Sequence, residues 1–409
     1  MKKYSQQTRS RMNAVLFIAM AMVALFAVSC EENPSTPSLY DPNYTGGPTP
    51  TLASVTPADS AQTGVDTLTL TGQNYSTVLT DNIVYLNSSV ANVVSATTTQ
   101  LRILTPLIFG DSISTVVAVQ RAPKFSNPIV YKLRAAIVKF GGQVATEAMF
   151  GITTDTAGNV YVSYTDVAQE KGILKFTPSG VRSAYAPATI GAPQWNSLKM
   201  GPSNVLYATR GIRALYAFPA NGGGSATVFV AFASGVTIAD FDFDADKNIW
   251  AGGDNSNIYR VQPNKTITAY PFVGTVRSLR VYSGYLYFSA KTTTAGEQIW
   301  RAPISGGVLG TPQVYFDFGA YYPGAKAFGI TFASDGTLYI GTDHPGRIVV
   351  VQPSLSRGMP YAVYTALVSP ACNTFAWGSG NSLYATSSGG GFVQIIVWRS
   401  QGAPYYGVL

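Results

Sequence analysis

A short phrase that returns six times along the C-terminal two-thirds of the chain constrains the fold more than any other feature. Its clearest copy reads Gly151-Ile152-Thr153-Thr154-Asp155-Thr156-Ala157-Gly158-Asn159-Val160-Tyr161-Val162. A β-branched run enters an Asp/Gly/Asn turn and leaves in a second run that carries an aromatic, the signature of two short strands joined tightly. The matching aromatics are Tyr161, Tyr207, Trp250, Tyr287, Tyr339 and Tyr384, at spacings of 46, 43, 37, 52 and 45 residues. The mean of about 45 is the length of one four-stranded unit. Alone, such a unit leaves one sheet face wet; stacked in a ring, the units bury those faces.

A third strand follows in each unit, as in Ile173-Leu174-Lys175-Phe176 and Ile299-Trp300-Arg301-Ala302. Pro178, Pro219, Pro263, Pro303 and Pro353 follow the first five of these strands. Proline cannot donate to a ladder, so each is expected to mark a turn toward an outer fourth strand. The closed solution is a six-bladed β-propeller over residues 135–409. Two segments could complete the ring: Ala136-Ile137-Val138-Lys139-Phe140 or Tyr405-Tyr406-Gly407-Val408-Leu409. The phrase at Gly151–Val162 resembles NHL-type repeats and the related gluconolactonase-like propellers.

Composition agrees with an all-β chain. Only 11% of residues are charged, against 40 Gly, 24 Pro and 25 Tyr. The formal charge of +7 includes Lys2, Lys3, Arg9 and Arg11, which precede an apolar run from Ala14 to Val28. That run is too short to span a bilayer and suits a signal peptide, residues 1–29. Without those four cations the charge is about +3 and no basic cluster remains, so nucleic acid is not an expected partner. Leu25-Phe26-Ala27-Val28-Ser29-Cys30 resembles the bacterial lipobox, which implies acylation of Cys30, a membrane anchor through it and an outer-membrane location. Glu31-Glu32-Asn33 resembles a surface-export signal. Residues 30–49, rich in Pro, Ser, Thr and Gly, read as a flexible tether.

Between residues 50 and 134 short alternating strands are separated by turn signals, the pattern of a β-sandwich. Three stretches there, Leu52–Pro57, Leu68–Tyr75 and Ala96–Pro106, resemble an IPT/TIG domain, which implies an immunoglobulin-like fold. In that family the module serves as a spacer, a protein contact or part of a DNA-binding unit. The spacer reading suits a chain without a basic patch.

Function is expected where the six copies disagree. Ten residues before each anchor stand Gly151, Ser197, Asp240, Arg277, Gly329 and Thr374, and one residue earlier Phe150, Asn196, Ala239, Val276, Phe328 and Asn373. The facing loops would add Asp166, Arg210, Asp254, Lys291, Asp343 and His344. Asp240 and Asp242 share a strand face about 7 Å apart and could hold a cation such as Ca²⁺ with Asn196; pairing of Asp240 with Arg277 is the alternative. Asp244 and Asp246 align with the repeat turn and read as turn formers. Trp195, Tyr321 and Tyr322 fall in loops between units, where they would stack on sugar rings. The expected ligand-binding set is therefore Trp195, Asn196, Asp240, Arg277, Tyr321, Tyr322 and His344.

A single histidine, His344, and two cysteines, Cys30 and Cys372, leave little for nucleophilic catalysis or zinc. Cys372 reads as a small buried hydrophobe. The leading expectation is a surface lipoprotein that binds a glycan or other extracellular ligand, without catalytic residues and with no cofactor beyond that cation. Similar sandwich-plus-propeller lipoproteins are thought to work beside outer-membrane importers, so an outer-membrane protein partner is a further expectation. The alternatives are an adhesive or structural scaffold and a gluconolactonase-like, metal-dependent hydrolase.

Overall fold

A computed structural model describes residues 46–64, 66–355, 357–358, 371–387, 390–397 and 400–409. The expected signal peptide, Cys30 and the expected tether up to residue 45 lie outside the described residues, as does Trp398. Among the described residues no helix is long and apolar enough to cross a membrane.

The first sheet runs from Thr51–Thr56 to Ile129–Arg134 and has eight strands. Its pairs are antiparallel apart from Ala61–Gln62, which runs parallel to Ile129–Arg134. Strict alternation in Thr67–Gln73 turns Leu68, Leu70 and Gly72 inward, where the two leucines join Val84, Leu101, Ile103 and Val117 in one core. Gly72 has no substitute: a Cβ there would lie 1.9 Å from the Thr51 carbonyl oxygen and 2.2 Å from the Tyr75 hydroxyl.

The repeats form a propeller-like succession of sheets. Four are separate and four-stranded, beginning at Ala148–Thr154, Ser197–Met200, Ala327–Phe332 and Cys372–Trp377. The expectation of six separate blades is corrected for the third and fourth repeats, which share one eight-stranded sheet from Asp240–Phe243 onward. The cause is the strand Ile267–Tyr282, in which Thr275 pairs with Asp254 on one side and Lys291 on the other. The chain thus passes from the outer edge of one repeat to the inner edge of the next without leaving the sheet. Pro303 also departs from expectation: it sits inside Gly296–Ser305, because that strand continues into a small hairpin with Val308–Leu309.

Two of the anchoring aromatics, Tyr161 and Trp250, are tied to their own turns. The Asp155 carboxylate accepts from the Asn159 amide nitrogen at 2.8 Å, the Asn159 side chain at 2.7 Å and the Tyr161 hydroxyl at 2.8 Å. Asp244 repeats the arrangement with Asn248 and the Trp250 indole nitrogen, 2.8 Å away. The aromatic buries its ring in the sheet interface while its polar tip is satisfied by the turn. Asp246 has the turn role expected of it, its amide donating to Asp244.

The last repeat is completed by the opening strand of the region. Ile137–Lys139 pairs antiparallel with Phe392–Ile396, and Phe140, Tyr384 and Phe392 pack with Met149, Ile152 and Phe176 of the first repeat. The chain end does something else. Ala403 donates to Phe332, Pro404 accepts from Arg280, and Tyr405 and Val408 pack on the second repeat beside Met200. Lys247 holds the carbonyls of Tyr406 and Leu409. The tail therefore crosses the end of the ring where the repeat turns lie.

Burial raises the phenol pKa of Tyr161, Tyr185, Tyr207, Tyr287, Tyr339, Tyr384 and Tyr405. An unfolded chain loses these protons near pH 10 while the folded one keeps them, so stability is fully present below that pH and falls as pH rises above it. Thermal melts should be flat from neutral pH to about 9 and decline steeply beyond about 10. Tyrosinate absorbance should rise together with unfolding. Titration of these phenols near pH 10 in a protein still folded would contradict the packing described.

Candidate functional site

At the end of the ring opposite the tail lies a cavity of about 510 Å³. All six residues that stand one step ahead of the inner-strand positions line it: Phe150, Asn196, Ala239, Val276, Phe328 and Asn373. Local backbone explains which of them reach inward. The inner strands carry register shifts between Met149 and Ile152, Val276 and Ser278, Ala327 and Ile330, and Cys372 and Thr374. A bulge re-aims the side chains inside it, and these four contain Phe150, Arg277, Phe328 and Asn373. Gly329 sits where strands converge: a Cβ would be 2.5 Å from the Asn373 carbonyl oxygen.

The charges around the mouth are internally matched. Arg277 forks onto both oxygens of Glu297, with Nη2 to Oε1 at 2.8 Å, and its guanidinium stands 5.8 Å from the centre of the Phe328 ring. The alternative pairing of Asp240 with Arg277 is therefore not what forms. Asp240 accepts from the Ser197 hydroxyl, from the Ser278 hydroxyl at 2.8 Å and from the Leu279 amide at 2.8 Å. Deeper in the channel, Asp242 accepts from Arg280 at 2.9 Å and from the Val281 amide at 2.8 Å. These carboxylates fasten one inner strand to the next.

That arrangement does not fit a cation. Three of the four carboxylate oxygens of Asp240 and Asp242 are taken by donors. Arg280 touches Asp242, and Lys199 stands 3.9 Å from Asp240. Among the described residues no three His, Cys, Asp or Glu side chains converge as a metal site. The proposed Asp240–Asp242 cation pair is thus corrected to a structural role. Cys372 is fully buried, and burial pushes its thiol pKa up, away from nucleophilic use.

Of the remaining site candidates, Asn196, Asp240 and Arg277 come together at the mouth. Trp195 does not: it is 6% exposed and packs edge-on against Tyr216 and Phe218, with ring centres 5.0 and 5.4 Å away. Its loop folds back onto the sheet beside it. Tyr322 is buried against His344, whose Nδ1 accepts from Gly346 at 3.1 Å. Tyr321 is exposed but stacked on Phe316. Neither tyrosine nor His344 lines the mouth cavity. Gln194 and Glu297 were missing from the expected set; they join the site only through strand geometry that local pattern does not carry.

Fold and site together define a class: an immunoglobulin-like module followed by a propeller-like ring with a ligand-sized cavity at its mouth. Residues 50–132 match the IPT/TIG domain family. No curated protein matches the chain. Among solved structures, a phosphatase candidate from Bacteroides thetaiotaomicron VPI-5482 is similar at a TM-score of 0.55 and 9% identity, over 86% of this chain and 98% of the other. A luciferin-regenerating enzyme is similar at 0.53 and 14%, over 66% and 98%. An auxiliary nutrient binding protein from Bacteroides thetaiotaomicron VPI-5482 is similar at 0.47 and 9%, over 87% and 98%, too loosely to argue from. At such identities the first two likenesses speak to the fold alone.

Proposed function

We propose that this chain is a binding protein, anchored at the cell surface through an acylated Cys30, whose ring mouth holds a glycan. One observation carries the reading: the mouth offers aromatic rings and neutral amides, Phe150 and Phe328 with Gln194, Asn196 and Asn373, while Arg277 is paired with Glu297 and Asp240 is held by hydroxyl and amide donors of the strands. Ligand pockets are mostly apolar with a few placed polar groups, and a sugar ring presents both a CH face for an aromatic and hydroxyls for amides. A general acid or base would need a titratable group free to exchange protons with the ligand, and Arg277 and Asp240 are engaged elsewhere. We count the eight-stranded sheet as two blades, which makes the ring six-bladed over residues 135–409, with residues 50–134 as its stalk.

A polysaccharide array probed with the mature protein tests this. Phe150→Ala and Phe328→Ala should each weaken the glycans that bind by about tenfold, or about 1.4 kcal/mol. An array without a hit, or hits indifferent to both substitutions, would end the proposal. A second reading, a protein-contact scaffold, is favoured by the immunoglobulin-like module, which exposes Val130 of its sheet at 68% and Phe125 of the preceding connection at 61%. Cross-linking on intact cells that captures a partner without sugar would support it.

A further inference from the structure

We infer that the glycan site does not end at the mouth but continues outward over the junction of the third and fourth repeats, so that the ligand is an oligosaccharide chain. This rests on the reading of the mouth as a glycan site. Connecting segments supply part of the mouth: Gln194 and Asn196, on 191–196 between the first and second repeats, and Thr237 and Ala239, on 232–239 between the second and third, line it. At the third-to-fourth junction there is no such segment, because Ile267–Tyr282 is one continuous strand. The edge of the mouth there is strand and not a connecting segment.

A second cavity, of about 420 Å³, occupies that place. It is lined by Ser256, Val273, Gly274, Thr275, Lys291, Thr292 and Thr293. Thr275 lines both cavities, so the two adjoin at that residue. Gly274 keeps the groove floor at backbone level, since a Cβ there would lie 2.9 Å from the Lys291 carbonyl oxygen. The groove has no aromatic platform; it offers hydroxyls and one ammonium as partners for the hydroxyls of successive units. Val273, 70% exposed, adds an apolar face beside these polar partners, so the groove repeats the mouth's mixed chemistry without its aromatic rings, as suits a chain gripped by one ring at its end and followed along its length.

Ser256, Thr292 and Thr293 line the groove and not the mouth, and Ser256 is exposed, so a bulky residue there obstructs only the outer subsite. Size series of malto-, xylo-, galacturono- and chito-oligosaccharides, monomer to hexamer, are titrated into the mature wild-type protein and Ser256→Trp by calorimetry. For a series that binds, wild-type affinity should rise at least tenfold from monomer to the longer members. S256W should flatten that rise and leave the monomer unchanged. Equal affinity for short and long members, or a length dependence that survives S256W, would overturn the groove while leaving the mouth reading intact. No binding by any member, short or long, would overturn the mouth reading and the groove with it. Thr293→Trp, on the next strand connection, repeats the test should S256W fail to fold.

Discussion

Arg280→Ala is expected to destabilise the protein by about 3–5 kcal/mol, the cost of leaving a buried carboxylate without its partner. Asp242 is fully buried and Arg280 nearly so. Arg280 also donates to the carbonyls of Ala403 and Pro404 and stands 5.4 Å from the centre of the Tyr405 ring. One guanidinium thus links an inner strand, its neighbour and the tail. Arg280→Lys should recover only part of the loss, since an ammonium cannot reproduce the planar fork. An apolar pair, Asp242→Leu with Arg280→Met, should be far milder than Arg280→Ala, because it leaves no orphaned charge. Urea unfolding measures all three; an Arg280→Ala variant within about 1 kcal/mol of wild type would contradict the assignment.

Removal of residues 403–409 should cost on the order of 5 kcal/mol, combining the burial of Ala403, Tyr405 and Val408 with the hydrogen bonds to Phe332 and Arg280. Amide exchange should accelerate in the inner strands near Arg280. The tail's far end is held by Lys247, which has a left-handed φ of 64° where Gly158 stands in the first repeat, at φ 80°. A side chain is kept there despite the backbone preference because its ammonium grips the tail. Lys247→Gly relieves the backbone and releases the grip, so its net effect should be small, about 1 kcal/mol or less. If the truncated protein melts with the wild type, the tail is ornament and not closure.

What the sequence reveals here is what is local. The turn of Asp155 with Asn159 and Tyr161 spans a few residues and repeats, so its copies expose one another; the same alignment separates Asp244, a turn residue, from Asp240 and Asp242. The ring of residues from Phe150 to Asn373 follows from counting back along each inner strand. What counting cannot supply is register. The bulges that contain Arg277 and Phe328, the fusion of two repeats by Ile267–Tyr282 and the Arg277–Glu297 fork depend on how strands meet across the sheet. Trp195 misleads for a related reason: loop position suggests exposure, yet the loop turns back and the ring fills the gap between Tyr216 and Phe218.

The pairing of Ile137–Lys139 with Phe392–Ile396 also sets an order of events. The strand that completes the last sheet is made directly after the immunoglobulin-like module, and its partner emerges only after the five intervening repeats. Until then its edge is unpaired, and the loop to be closed is nearly the whole repeat region, a contact of very long sequence separation. Each earlier repeat pairs with itself and with a neighbour already made; only this one waits. Closure of the ring is thus the slow, late step of folding, and the interval before it is when the exposed edge is open to pairing with another chain.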